Sequence, residues 1–183
     1  MALKELIAHK KYLFLDRDGV INKRLLGGYI TKWEDFEFLP GVLEALMVFK
    51  NHFDHIIIIT NQQGIGKGLM SEDDVKLIHQ NLSQTVLSHG GKIDAIYHCP
   101  MLKNDENNCR KPGITMALKA QADFPEIDFS KSLMIGDTAS DMAFGKNAGM
   151  GRVLIENKHT TEDDRKWAEV TIKKLTDLSH LLK

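Results

Sequence analysis

The chain has 183 residues, 24 Lys and Arg against 25 Asp and Glu, a formal net charge of −1 and 43% hydrophobic residues. That predicts a single domain, residues 1–183, with a substantial buried core, and the scattered charges lack the basic stripe of a nucleic-acid binder or a membrane-surface protein. Even the all-isoleucine run Ile56 to Ile59 is too short to cross a bilayer, and the start Met1-Ala2-Leu3-Lys4-Glu5 lacks the apolar core of a signal peptide. A cytoplasmic protein that acts as a monomer, with neither nucleic acid nor membrane among its partners, is expected. Cys99 and Cys109 are too few for a disulfide framework, and in that compartment they are expected to stay reduced.

In chain order, residues 12–15 read as a first strand. Val42, Ala45, Leu46 and Phe49 then recur at helical spacing after Pro40-Gly41, and residues 56–60 form a second strand. Ser71 caps the next helix, Glu72, Asp73 and Asp74 favour its positive end, Val75, Ile78, Leu82 and Val86 form its buried stripe, and Gly90-Gly91 ends it. Further strands are expected at 93–98, 133–136, 153–155 and 170–172, with helices after Pro112-Gly113, Ser140, Thr161 and Thr176. This alternation predicts an α/β fold, a doubly wound parallel sheet with helices on both faces. His52, His55, His79, His89 and His159 are expected at the surface.

Polar residues gather where these strands stop: Asp16 after the first, Thr60-Asn61 after the second and Asp137 after the fourth. Ligands of open α/β sheets bind outside the carboxyl ends of the strands, so these segments are expected to converge. In Leu15-Asp16-Arg17-Asp18-Gly19, residues two apart share a side, which lets Asp16 and Asp18 approach one centre while Arg17 points elsewhere. Two such carboxylates suit a mechanism in which one, held ionised by a metal, attacks and the other carries a proton; an acidic turn closing a strand would have the same residues. In Gly136-Asp137-Thr138-Ala139-Ser140-Asp141, Asp137 reaches the crevice, and Asp141 braces the metal ligands or a basic residue, or merely caps its helix. Oxygen ligands with positions left for water and phosphate describe magnesium better than zinc or iron.

Thr60-Asn61-Gln62-Gln63-Gly64-Ile65-Gly66 offers a hydroxyl and backbone N–H groups to phosphate oxygens, although alone it reads as a flexible turn. Arg110-Lys111-Pro112 sets two cations before a helix. The lysine can neutralise a transferring phosphoryl group and the arginine can grip a second anion, but a basic pair is also ordinary solvated surface.

Taken in this order, Asp16-x-Asp18-Gly19, Thr60-Asn61, Lys111 and Gly136-Asp137-x-x-x-Asp141 resemble the motifs of the haloacid dehalogenase (HAD)-like phosphatase superfamily. The resemblance implies that Asp16 forms an aspartyl-phosphate, Asp18 protonates the leaving oxygen and later activates water, and Thr60 and Lys111 steady the phosphoryl group. It further implies magnesium on Asp16, the Asp18 main-chain carbonyl and Asp137, with Asp141 behind them. More closely, Asp16 to Asn22, Gly28-Tyr29, Phe36 to Val42, Thr60 to Ile65, and Cys99-Pro100 leading to Cys109-Arg110-Lys111-Pro112 resemble the histidinol-phosphate and D-glycero-D-manno-heptose 1,7-bisphosphate phosphatase branch. That branch lacks a large cap domain, and the short intervals between the motifs here leave no room for one.

The resemblance puts substrate contacts at Gly28, Tyr29, Asn61, Gln62, Gln63, Arg110 and Thr138, with Arg110 reading a second phosphate. Gly28-Tyr29 and the Asn-Gln-Gln-Gly-Ile turn lean toward a heptose bisphosphate cleaved at its 7-phosphate, while the short 99–111 loop is closer in length to the histidinol-phosphate type. A non-catalytic phosphosugar-binding protein is the alternative from another class. The branch typically holds zinc in this loop with Cys-x-His and Cys-x-Cys. Here Met101 and Asn107 stand where the second and third ligands would be, so zinc on Cys99 and Cys109 is not expected, and both are read as buried thiols.

Overall fold

The computed structural model describes residues 2–183; Met1 lies outside it. Six strands, β1 Tyr12–Leu15, β2 His55–Asn61, β3 Ala95–Cys99, β4 Ser132–Gly136, β5 Gly151–Ile155 and β6 Val170–Ile172, form one sheet in the order β3-β2-β1-β4-β5-β6. All neighbours pair in parallel. The helices are α1 Leu3–Ile7, α2 Val42–Phe49, α3 Glu72–Ser88, α4 Thr115–Asp123, α5 Ala139–Ala148, α6 Glu162–Arg165 and α7 Leu175–Ser179.

Alternation along the strands sends side chains to opposite faces. Leu13, Leu15, Ile56, Ile58, Leu133 and Ile135 pack with Leu46 and Phe49 of α2 and Leu82 and Val86 of α3 on one face. Phe14, Ile57, Ile59 and Met134 pack with Met116, Ala117 and Ala120 of α4 and Phe144 of α5 on the other. A sheet covered on both sides needs unbroken apolar strands, which explains the isoleucine run of β2. Cutting Ile58, which is fully buried, to alanine would cost about 2–5 kcal/mol.

Ser71 caps α3 as expected: its Oγ accepts from the Asp74 N–H at 3.1 Å, while Asp74 Oδ2 accepts from the Ser71 N–H at 2.7 Å. β3 starts two residues later than expected because the Asp94 carboxylate takes the Ile56 N–H at 2.7 Å, a bond that a strand residue would leave to its main chain. The sequence pattern missed α1, whose single buried pair, Leu6 and Ile7, is too short to reveal a period.

The chain moves from β1 through β2 to β3 on one side, then returns to lay β4 on the other side of β1. The carboxyl ends of β1 and β4 therefore flank the reversal point of the sheet, where a crevice opens. No cap domain covers it; the segment between β1 and α2 contributes only a short 3-10 turn, Trp33–Asp35, and isolated bridges among the described residues.

Candidate active site

β1 ends at Leu15, and the Asp16 N–H still donates to Ile135 O of β4 at 3.0 Å, so Asp16 is the last residue held by the ladder. The chain then turns tightly, with the N–H groups of Ile21 and Asn22 directed at Arg17 O at 2.8 and 3.1 Å. At Gly19 the backbone has φ +100°, and a Cβ there would overlap the Asp137 carboxylate at the end of β4. Glycine is thus required twice, for the turn and for the approach of the second carboxylate. Gly136 does the same for Asp141, whose side chain would collide with a Cβ there.

Lys111 is buried beneath this rim. Its Nζ donates to Asp16 Oδ1 at 2.6 Å and to Ile59 O at 2.8 Å, and lies 2.6 Å from Asp141 Oδ1. Burial opposes its charge, yet Asp141 and Asp16 raise its pKa above the ordinary lysine value. The other Asp141 oxygen accepts from the Thr138 N–H and hydroxyl at 3.1 and 2.6 Å, capping α5. Asp141 thus fills both of its expected places, the brace of a basic residue and the helix cap.

Asp18 turns its carboxylate into a cage of donors. Arg17 Nη2 donates to both oxygens at 3.0 Å, Asn22 Nδ2 to one at 2.9 Å and Gln62 Nε2 to the other at 2.8 Å. Burial pushes the Asp18 pKa up, but Arg17, Asn22 and Gln62 together hold it below the usual carboxylate value. The expectation that Arg17 points elsewhere is corrected. Strand alternation stops applying once the chain leaves the ladder at Asp16, and the wholly buried Arg17 folds back onto its neighbour.

His79 is a second correction: it is 8% exposed rather than a surface residue, and its Nε2 lies 3.3 Å from Arg17 Nη1. Because the guanidinium can only donate, Nε2 is the acceptor and the imidazole is neutral with its proton on Nδ1. Burial, with Arg17 beside it, brings the His79 pKa down to about 3.

Arg24, which no sequence pattern singled out, enters from the solvent side. Its Nη2 donates to Asp137 Oδ1 and to the Asp18 main-chain carbonyl, both at 2.7 Å, and lies 3.7 Å from Asp16 Oδ2. One cationic nitrogen thereby marks a point that three oxygens face. Burial and mutual repulsion raise the pKa values of Asp16 and Asp137, with Lys111 and Arg24 pulling them back down. Oxygens of Asp16, Asp137 and Asp141 lie within 4.8 Å of one another. Converging hard oxygens on buried carboxylates that repel each other fit a magnesium ion. Asp141 is already committed to Lys111 and Thr138, so the Asp18 carbonyl is the better third protein ligand.

The cleft above these groups has a volume of about 520 Å³ and is open to solvent; Gly28, Tyr29, Gln63, Lys67 and Arg110 line its outer part. Several expected substrate contacts spend their side chains internally. Asn61 clasps the Lys111 backbone, accepting its N–H at 3.0 Å and donating to its carbonyl at 3.3 Å. Gln62 donates to Asp18 and to Thr60 Oγ1, both at 2.8 Å, and Gln63 donates to the Tyr29 hydroxyl at 2.8 Å. Arg110 donates to Met101 O at 3.2 Å, which aims its guanidinium along the cleft wall.

The cysteines correct the thiol reading. Cys99 and Cys109 form a disulfide, with Cα atoms 5.5 Å apart. Cys99 ends β3, and the loop must return there to deliver Lys111 to β1, which brings the two sulfurs together. The loop between is also tied by the Leu102 N–H to Asp105 Oδ2 at 2.7 Å, while His98 is engaged elsewhere, 2.8 Å from Glu72 Oε2.

The sheet and its acidic rim define a class of hydrolase: a HAD-like hydrolase family model (Hydrolase_like) matches residues 108–179. A D-glycero-alpha-D-manno-heptose-1,7-bisphosphate 7-phosphatase of Campylobacter jejuni is 42% identical over 154 residues, covering 84% of this chain and 87% of that protein. The beta-anomer counterpart of Vibrio cholerae is 36% identical over 182 residues, covering 94% and 96%. A crystal structure of D,D-heptose 1,7-bisphosphate phosphatase from B. bronchiseptica with magnesium and phosphate superimposes with a TM-score of 0.81 at 25% identity, covering 94% of this chain and 97% of that one. The chain belongs to the HAD-like phosphatases, in the heptose-bisphosphate phosphatase branch, and is a phosphoric monoester hydrolase.

Proposed function

We propose that this chain removes the 7-phosphate of a D-glycero-D-manno-heptose 1,7-bisphosphate, using magnesium and a phosphoryl intermediate on Asp16. The observation that carries the reading is the convergence of Asp16, the Asp18 carbonyl and Asp137 on one cation-sized point, with Lys111 bridging Asp16 and Asp141 beneath it. Magnesium held by those three groups would neutralise charge on the transferring phosphoryl group.

Lys111 donates to Asp16 Oδ1, while Oδ2 is the oxygen that faces the proposed metal point. The Asp16 carboxylate forms a bond to phosphorus as the bond to the sugar oxygen breaks, and Asp18 delivers a proton to that oxygen. Water then attacks the phosphoryl group, Asp18 takes the proton back, and the Asp16 carboxylate is regenerated with inorganic phosphate. The donors around Asp18 keep it ionised, as the second step needs; an arriving phosphate dianion repels that charge and favours the protonated form required by the first. Thr60 and Lys111 steady the phosphoryl oxygens, and Arg110 on the cleft wall grips the second phosphate.

The alpha anomer is favoured, because the alpha-named relative is 42% identical and the beta-named one 36%. Every residue of the proposed site comes from one chain, which supports action as a monomer. The test is a phosphate-release screen with sugar mono- and bisphosphates and histidinol phosphate, with magnesium and with chelator. Magnesium-dependent release that is fastest from the heptose bisphosphate supports the assignment; faster turnover of histidinol phosphate overturns it.

A further inference from the structure

Arg24 makes the contacts that a divalent ion would make. Its Nη2 lies 2.7 Å from Asp137 Oδ1, 2.7 Å from the Asp18 carbonyl and 3.7 Å from Asp16 Oδ2, and its Nε donates to Asp137 Oδ2 at 3.2 Å. A guanidinium nitrogen and a metal ion cannot both occupy that point. Asp16 Oδ1 is held by Lys111, so the oxygen facing Arg24 is the one left to bind the ion.

The geometry also lets the arginine leave. Its side chain is 40% exposed, against 7% for Asp16 and 4% for Asp137, so it approaches from solvent while the carboxylates stay fixed to the sheet. The residues after it, Leu25 and Leu26, are 52% and 65% exposed and anchor nothing in the core, and Gly27 has a left-handed backbone, φ +72°. Withdrawing the guanidinium therefore breaks no apolar packing. Two buried carboxylates without a counter-ion are costly, which gives Arg24 its place; a compact divalent charge meets the same need without ordering a long side chain.

We propose that Arg24 is a resident counter-ion that competes with magnesium for Asp16, the Asp18 carbonyl and Asp137, and holds that point until the metal displaces it. This rests on the magnesium site of the proposed function. Arg24 is thus a positioning residue whose effect is read in metal affinity.

The test is calorimetric titration of magnesium into chelator-treated, dialysed wild type, Arg24→Gln and Arg24→Lys, with thermal unfolding followed in chelator and in magnesium. Arg24→Gln should bind magnesium tighter by about tenfold or more. It should melt below wild type in chelator and close that gap when magnesium is added. Arg24→Lys keeps the charge but cannot make the forked contact, so its affinity should fall between the two. Equal or weaker binding by Arg24→Gln, or by Arg24→Lys if the glutamine variant does not fold, overturns the competition while leaving the magnesium site standing. Absence of magnesium binding to the wild type, together with metal-independent phosphate release, overturns both.

Discussion

Lys111 Nζ lies 2.6 Å from Asp16 Oδ1, joining residues 95 positions apart in the chain, with side chains 2% and 7% exposed. Because the same nitrogen is 2.6 Å from Asp141, one ammonium offsets two buried carboxylates, Asp16 just after β1 and Asp141 in α5.

Lys111→Met keeps the volume and removes the charge, stranding Asp16 and Asp141. Stability at neutral pH should fall by about 3–5 kcal/mol, and turnover by at least about a hundredfold. The stability loss should shrink at mildly acidic pH, where the stranded carboxylates take up protons and no longer need a partner. Urea unfolding of both proteins at the two pH values checks this, and a loss that does not depend on pH would contradict it.

Gly19→Ala places a Cβ against the Asp137 carboxylate on a backbone at φ +100°. The carboxylate must move, so the magnesium concentration giving half-maximal phosphate release should rise by about tenfold or more. A magnesium titration of activity at saturating substrate reads it; an unchanged midpoint would remove Gly19 from the account.

Arg110→Ala should raise KM for a sugar bisphosphate much more than for the corresponding monophosphate, because the wall arginine grips the group that is not cleaved. Parallel KM measurements separate this from a general weakening, which would raise both alike.

His79 has a pKa of about 3 in the fold against an ordinary 6.5. Between those values the unfolded chain binds more protons than the folded one, so this contribution to stability is complete above about pH 6.5 and is lost as pH falls toward about 3. His79→Gln keeps an acceptor for Arg17 but cannot titrate, and should flatten the acid limb by on the order of 5 kcal/mol. Unfolding free energies of the two proteins across that range test it; parallel acid limbs would rule His79 out as their source.

The strands, the order of helices and the rim carboxylates were legible because each rests on a local signal: a run of apolar residues, a cap, or a charge at the end of a strand. Asp16, Thr60 and Asp137 could be brought together from sequence because strand ends share one edge of a parallel sheet, whereas Lys111 joined them only through the family resemblance. Arg24 and the burial of Arg17 and His79 were not legible. Arg24 sits in a loop without a period, and the burial of Arg17 and His79 follows from a hydrogen bond between segments 62 residues apart, with the Arg17 charge met by Asp18. The Cys99–Cys109 pairing was missed because compartment and count say nothing of the return of the loop that brings the two residues together. Asn61 and Gln62 lay at the right place, but hydrogen bonds to Lys111, Thr60 and Asp18, invisible in spacing, absorb their amides.

The central claim is that phosphate passes through Asp16. Asp18→Asn, which cannot take a proton from water, should accumulate the intermediate when mixed with heptose bisphosphate and magnesium. Acid quenching, digestion and mass spectrometry should then find one phosphoryl group on the peptide carrying Asp16, and none when Asp16→Asn is added. Full turnover by Asp16→Asn, or an adduct that survives Asp16→Asn, would contradict the covalent route.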